Sequence, residues 1–123
     1  MENQLRGYKN LKVFQKAENL VLEIYKITEN FPKTETYSLI DQMKRAAISV
    51  MANIAEGCGR QTIKERIHFL YTARGSLVEL ECFIDLSFKL KYINKEQYSQ
   101  LVELRNDVGR LLNGLIKSLK NSS

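Results

Sequence analysis

The chain has 123 residues and a net charge of +5, with 44% hydrophobic and 27% charged residues. This length suits one domain, residues 1–123, around a single core, and the composition is typical of a globular protein, not of a disordered or fibrous one. No apolar run approaches the roughly 20 residues that a membrane-spanning helix needs, and the opening MENQLRGYKN has no signal-peptide core, so we expect no membrane association.

The first predicted helix spans residues 10–30. Asn10 is its expected N-cap, and Pro32 stops it before the connecting segment FPKTETYS. Apolar residues recur through it at spacings of three and four, which is the pattern of an amphipathic helix. They are Leu11, Phe14, Ala17, Leu20, Val21, Ile24, Ile27 and Phe31.

The second and third predicted helices span residues 37–58 and 62–91. Gly57 and Gly59 mark the end of the second, and we expect the left-handed backbone conformation there that commonly ends a helix. Gly75 lies within the third helix, where a glycine costs about 1 kcal/mol against alanine. Its expected use is to let a neighbouring helix approach closely.

The fourth predicted helix spans residues 95–120. Asn94 and Gln97 have the spacing of a capping box at its start. Its predicted seam consists of Leu101, Leu104, Val108, Leu111, Leu115 and Leu119. Four helices of this length with short connections predict an all-α fold, an antiparallel up-down-up-down four-helix bundle.

A row of polar residues runs through the otherwise apolar second helix. Projected at 100° per residue, the row covers an arc of about 80°. Its members are Gln42, Arg45, Ser49, Asn53, Glu56 and Arg60. The apolar arc extends past one core to Ile48, Met51, Ala52 and Ala55, so we predict that a second copy of the chain covers this outer side.

The third helix carries charges at Arg74, Glu81 and Asp85, inside its predicted apolar arc. The apolar residues of that arc are Ile67, Leu70, Leu77, Val78 and Phe88. Buried charges need partners, and we expect Arg45 or Arg74 to neutralise the two carboxylates. The polar row is then an internal network that fixes helix register. The alternative is that Arg45 and its neighbours Asn53, Glu56 and Arg60 face a groove and contact a ligand.

Two segments resemble a known family, DQMKRAAISVMANIAEGCGR at 41–60 and FLYTARGSLVELECFIDLSFKL at 69–90. They are similar to the four-helix bundle proteins encoded within intervening sequences of bacterial 23S ribosomal RNA genes. The resemblance implies a homopentamer, and it extends to accessory proteins of diversity-generating retroelements, which bind nucleic acid and work beside a reverse transcriptase. The family's characteristic positions correspond here to Gln42, Arg45, Ser49, Asn53, Glu56, Gly57, Arg60, Gly75, Ser76, Glu79 and Glu81. Many relatives have proline where this chain has Met51, so a helix kink is not transferred.

Catalytic and metal chemistry finds little support in the residue types. His68, Cys58 and Cys82 have no metal-ligand spacing, and neither cysteine lies in an activating context. There is no glycine-rich phosphate loop. We predict no enzyme activity, no metal and no cofactor, and we expect both cysteines to be buried, inert thiols in a reducing cytoplasm.

Basic residues offer a different kind of site. The candidate nucleic-acid contacts are Lys9, Lys12, Lys16, Lys89, Lys91, Lys95, Arg105 and Arg110. Repeated around an oligomer, they would engage phosphates without reading sequence. Tyr8, Tyr92 and Tyr98 either stack on bases or pack against the bundle. The leading hypothesis is a non-enzymatic homo-oligomer that binds RNA or DNA, and the alternative is a protein-interaction scaffold.

Overall fold

The computed structural model describes residues 7–122, which form four α-helices joined by short connections. These are α1 (Lys12–Thr28), α2 (Leu39–Gly59), α3 (Ile63–Lys89) and α4 (Lys95–Asn121). Short 3-10 helices, Gly7–Asn10 and Lys33–Glu35, precede α1 and α2. Each α-helix begins and ends within two residues of its predicted bound, and residues 7–122 include no β-strand.

Neighbouring helices run antiparallel. Along α2 and α3, Ser49 bonds to Ser76 while the later Gly57 lies against the earlier Arg66, so residue numbers rise in opposite directions. The same reversal appears between α3 and α4 in the pairs Arg74 with Asn113, Glu81 with Arg105, and Asp85 with Tyr98. Within the described chain each helix contacts its two neighbours and not the helix diagonally opposite. The predicted antiparallel four-helix bundle is confirmed.

The core forms where the four apolar stripes meet. Its largest fully buried side chains are Leu20, Ile24, Met43, Ile54, Leu70, Leu77, Leu80, Ile84, Leu101 and Leu112. Burial of one such side chain contributes about 1.5 to 3 kcal/mol. These contacts, more than helix propensity, hold the bundle together.

The start of α1 differs from the prediction that Asn10 caps it. The N-cap is Leu11, whose side chain caps nothing, because Asn10 is the last residue of the preceding 3-10 helix. The side-chain amide of Gln15 donates instead to the carbonyl of Lys9 at 3.0 Å and ties the 3-10 helix to α1. The capping box predicted at Asn94 and Gln97 is present at the start of α4.

The roles predicted for Gly57, Gly59 and Gly75 were wrong. No described glycine has a positive φ, so Gly57 and Gly59 do not end α2 by a left-handed turn. Gly57 is instead buried, and a Cβ built there would lie 3.1 Å from the carbonyl oxygen of Arg66. A Cβ at Gly75 would meet no heavy atom within 4 Å. Within one chain, the close approach predicted for Gly75 therefore belongs to Gly57.

A lysine takes the left-handed position at the end of α3. Lys91 has φ 65°, and the N–H groups of Lys91 and Tyr92 donate to the carbonyls of Phe88 and Ser87. This pair of bonds is the Schellman arrangement, in which glycine usually occupies the left-handed residue. The turn reverses the chain into α4, which begins four residues later.

Candidate functional site

The interface between α2 and α3 contains a short polar network. The hydroxyl groups of Ser49 and Ser76 lie 2.8 Å apart, and the Asn53 side-chain amide donates to the carbonyl and hydroxyl oxygens of Ser49 at 2.8 and 3.1 Å. All three residues are half-buried. Because serine side chains are short, these bonds also keep the two helix backbones close. This part of the row joins the two helices, as expected of an internal network.

Within residues 7–122, the charged members of the row form no ion pair with α3. Arg45 pairs with Asp41 at 3.0 Å, and Arg60 pairs with Glu56 at 2.5 Å, each within α2 and its end. The Arg45 side chain is 75% exposed. Exposed pairs of this kind contribute about 0.3 to 0.5 kcal/mol. The prediction that Arg45 neutralises the α3 carboxylates was wrong, because it lies on the outer side of α2.

The carboxylates of α3 find their partners on α4. Glu81 forms an ion pair with Arg105, and the Tyr98 hydroxyl donates to Asp85 at 2.8 Å. That hydrogen bond is the main reason that the pKa of Tyr98 is raised. These residues line a pocket of about 90 Å³. The α3 charges therefore lie at the edge of the α3–α4 contact, outside the core.

Arg74, Gln42 and Glu79 are the remaining polar positions singled out in the sequence. Arg74 is exposed, donates to the Asn113 side chain at 3.2 Å, and does not approach Glu81 as predicted. Gln42 is exposed and lines an open groove beside Phe83. Glu79 is exposed on the outer side of α3. The predicted polar positions thus divide between the α2–α3 contact, the α3–α4 contact and the surface, and do not converge on one site.

The eight predicted nucleic-acid contacts divide into paired and unpaired groups. Lys16 and Arg110 both pair with Asp107, at 3.7 and 3.1 Å, and Arg105 pairs with Glu81. The others are exposed, and no carboxylate of residues 7–122 lies within ion-pair distance of them. They are Lys9, Lys12, Lys89, Lys91 and Lys95.

The three tyrosines considered for base stacking are engaged within the bundle. Tyr8 meets Phe14 edge to face at 4.8 Å, and Tyr98 is stacked on Phe88 at 4.3 Å. Tyr92 packs against Phe31, and its hydroxyl donates to Glu35 at 3.0 Å. Packing, the alternative use of these rings, is what the structure shows.

The outer surface of α2 is partly covered by its own chain. Tyr8, which precedes α1, lines a shallow groove with Ala52, Ala55 and Arg60, and Ala55 packs partly against the core. Ile48 remains 38% exposed, and Ala52 is exposed. Sequence reasoning missed the covering role of Tyr8, because the residues before α1 have no apolar period of their own.

Further apolar side chains are exposed on α3 and beside it. Val78 and Leu86 are 52% and 45% exposed, and Tyr37, in the turn before α2, is 95% exposed. The interpretation that placed Val78 within the buried arc of α3 was wrong. Projection about Leu77, Leu80 and Ile84, which are fully buried, would have placed Val78 outside it.

Cysteine and histidine chemistry has no organised site in residues 7–122. No group of three or more His, Cys, Asp or Glu side chains there is placed to hold a metal ion. Both cysteines are free, and the expectation that both are buried was wrong, because Cys82 is exposed on α3. Burial raises the pKa of the Cys58 thiol despite the opposing effect of Arg66. None of the described helices is both long and apolar enough to cross a membrane.

The fold and these contacts define an all-α, antiparallel four-helix bundle with a serine-lined α2–α3 contact and charge-paired edges. The family model for the 23S rRNA-intervening sequence protein matches residues 9–114, so the chain belongs to this family. It is also similar to a crystal structure from Bacteroides thetaiotaomicron, described as a protein of unknown function from the S23 ribosomal protein family. The two share 27% identity over 85% of this chain and 98% of the other, with a TM-score of 0.77. The search of curated proteins found no match.

Proposed function

We propose that the chain is a non-enzymatic, homo-oligomeric bundle that binds RNA or DNA through phosphate contacts, as an accessory factor in the cytoplasm. The observation that carries this proposal is that the arginines and the lysines differ in how they are paired. Most arginines are held by carboxylates or carbonyls of their own chain, while many lysines are exposed and unpaired within residues 7–122. Exposed lysines are mobile point charges that suit contacts with any phosphate backbone.

Salt titration tests the binding. Labelled 30-nucleotide RNA and duplex DNA would be titrated with the protein, and fluorescence anisotropy followed from about 50 mM salt upward. We expect binding that weakens steeply with salt, with a logarithmic slope of about −0.9 per phosphate neutralised on duplex DNA. No binding at about 50 mM salt, where phosphate contacts are strongest, would overturn the proposal.

The proposed assembly uses the outer side of α2, where Ile48 and Ala52 are exposed. Ala52→Glu would place a charge in that contact and is expected to yield monomers, measured by light scattering. Gly114→Glu is the matched control, because Gly114 is an exposed glycine on α4 with no heavy atom near its Cβ position. An intact oligomer in Ala52→Glu, or equal dissociation in both variants, contradicts the assignment. A pentamer, and a reverse transcriptase as partner, are suggested by family resemblance.

A protein-interaction scaffold is the second candidate function. It is favoured by the exposure of Val78 and Leu86 on α3 and of Tyr37 in the turn before α2. The tagged protein and its Leu86→Glu variant would be used to capture partners from host lysate with and without nuclease. One protein recovered at fixed stoichiometry, insensitive to nuclease and lost with Leu86→Glu, supports the scaffold. Recovery that nuclease abolishes supports nucleic-acid binding.

A further inference from the structure

The antiparallel topology brings four distant parts of the chain to one end of the bundle. A pocket of about 180 Å³ at that end is lined by side chains from all four helices or their flanks. These include Leu11 before α1, Cys58 near the end of α2, Leu70 in α3, and Leu115 and Leu119 in the last turns of α4. Residues 7–12, 56–66 and 114–122 therefore share this end, which we term the basic end.

The basic end holds most of the charge imbalance of the molecule. Its three segments contain seven basic and two acidic residues. One of the two acids, Glu56, is already paired with Arg60. The opposite end, residues 26–45 and 85–96, contains seven basic and five acidic residues. Two helix N-termini and two helix C-termini lie at each end, so the helix dipoles there largely cancel. The side chains therefore determine the sign of the electrostatic potential at each end.

We propose that the basic end is the surface that contacts the phosphates of RNA or DNA. The inference rests on the proposed function and assigns a place to it. Lys12, Lys64 and Lys117 lie on three different helices there, and all are exposed. A polyanion with closely spaced charges crosses several of these helices at once, whereas a single acidic side chain would engage only one of them.

The aromatic rings near the basic end favour contact with phosphates over base stacking. The Arg60 guanidinium lies over the ring of Phe69 at 4.5 Å. Arg74 and Lys120 lie over the ring of Tyr71 at 4.7 and 5.1 Å. These cations already cover the rings of Phe69 and Tyr71, which favours contact with phosphates over stacking of a base on either ring. Binding at this end is therefore expected to tolerate any nucleotide sequence.

The test removes three positive charges from the basic end in the triple variant Lys12→Gln, Lys64→Gln and Lys117→Gln. Glutamine keeps a polar, helix-compatible side chain, and unfolding curves check that the bundle is intact. For the RNA and duplex probes we expect binding at least about tenfold weaker at about 50 mM salt, and a logarithmic salt slope smaller by about 2 to 3.

The matched control is Lys89→Gln, Lys91→Gln and Lys95→Gln at the opposite end, which removes the same charge. These lysines are also exposed and are contacts that the sequence alone suggested. The proposal expects less than about a threefold effect, since only the long-range field changes. An equal or larger effect in this control overturns the assignment to the basic end while leaving nucleic-acid binding intact.

Two other outcomes would separate failure of the proposed function from failure of the assignment to the basic end. If the wild-type protein binds neither probe, the proposed function fails before the basic end is tested. If labelled polyglutamate of equal charge binds as tightly as RNA and is lost in the same variant, the basic end recognises acidic polypeptides and its assignment to nucleic acid is overturned.

Discussion

Gly57→Ala tests the closest approach between two helices. A Cβ at this position would lie 3.1 Å from the carbonyl oxygen of Arg66 and 3.3 Å from side-chain atoms of Phe69 and Leu70. The carbonyl belongs to the first turns of α3 and cannot move without the helix, so relief requires α3 to shift. Overpacking of this kind costs about 1 to 3 kcal/mol.

Gly75→Ala is the matched control, because its Cβ meets no heavy atom within 4 Å and the change stays within a helix. Removing a glycine from a helix interior stabilises by up to about 1 kcal/mol. We therefore expect Gly57→Ala to be about 1 to 3 kcal/mol less stable than Gly75→Ala. At about 2.1 cal/mol/K per residue, each kcal/mol corresponds to about 4 °C in Tm.

Urea and thermal unfolding at several protein concentrations would measure the difference, since concentration dependence separates assembly from the stability of one chain. Equal stability of the two variants, or a more stable Gly57→Ala, would refute the close approach of α2 and α3 at this point. A concentration-dependent loss confined to Gly75→Ala would place Gly75 in a contact between copies.

Three further predictions address single interactions. Ser76→Ala is expected to lower the free energy of unfolding by about 0.5 to 1.5 kcal/mol. A double-mutant cycle with Ser49→Ala should show that the two effects are coupled, and strict additivity would contradict the hydrogen bond between the two serines. Lys91→Gly is expected to stabilise by about 1 kcal/mol by relieving the positive φ, and an unchanged or lower Tm contradicts this. The pKa of Tyr98 is raised, so its hydrogen bond stabilises the fold below about pH 10 and is lost as the pH rises through the raised pKa. The free energy of unfolding of the wild type should therefore exceed that of Tyr98→Phe by less at about pH 11 than at about pH 9. A difference in urea unfolding that stays constant over this range refutes the prediction.

The fold was predictable because three helices carry a clear amphipathic period and the connections are short. The predicted seam of α4 was nevertheless displaced. Leu112 and Ile116 are buried most deeply in its second half, whereas Leu111 and Leu115 lie at the edge. A seam drawn from leucines alone follows one side of a broad stripe, because it omits the isoleucine and treats the flanking leucines as central.

The contacts of α3 were least predictable. Its inner face includes Ser87, which is fully buried and donates to a backbone carbonyl, while Val78 and Leu86 lie outside. The apolar periodicity of α3 therefore identifies its buried face only weakly. A helical projection also gives the angle of a charge but not the neighbouring helix it meets, which is why Glu81 was assigned to Arg45 or Arg74 and not to Arg105.

The distribution of charge depends on the same missing information. Lys12, Lys64 and Lys117 are far apart in sequence, so no local pattern groups them. Lys89, Lys91 and Lys95 are close in sequence and attract attention, yet acidic residues at their end offset much of their charge. In an antiparallel bundle, the first residues of odd helices meet the last residues of even ones. Net charge should therefore be counted by bundle end, because it is the field of one end that an approaching polyanion meets.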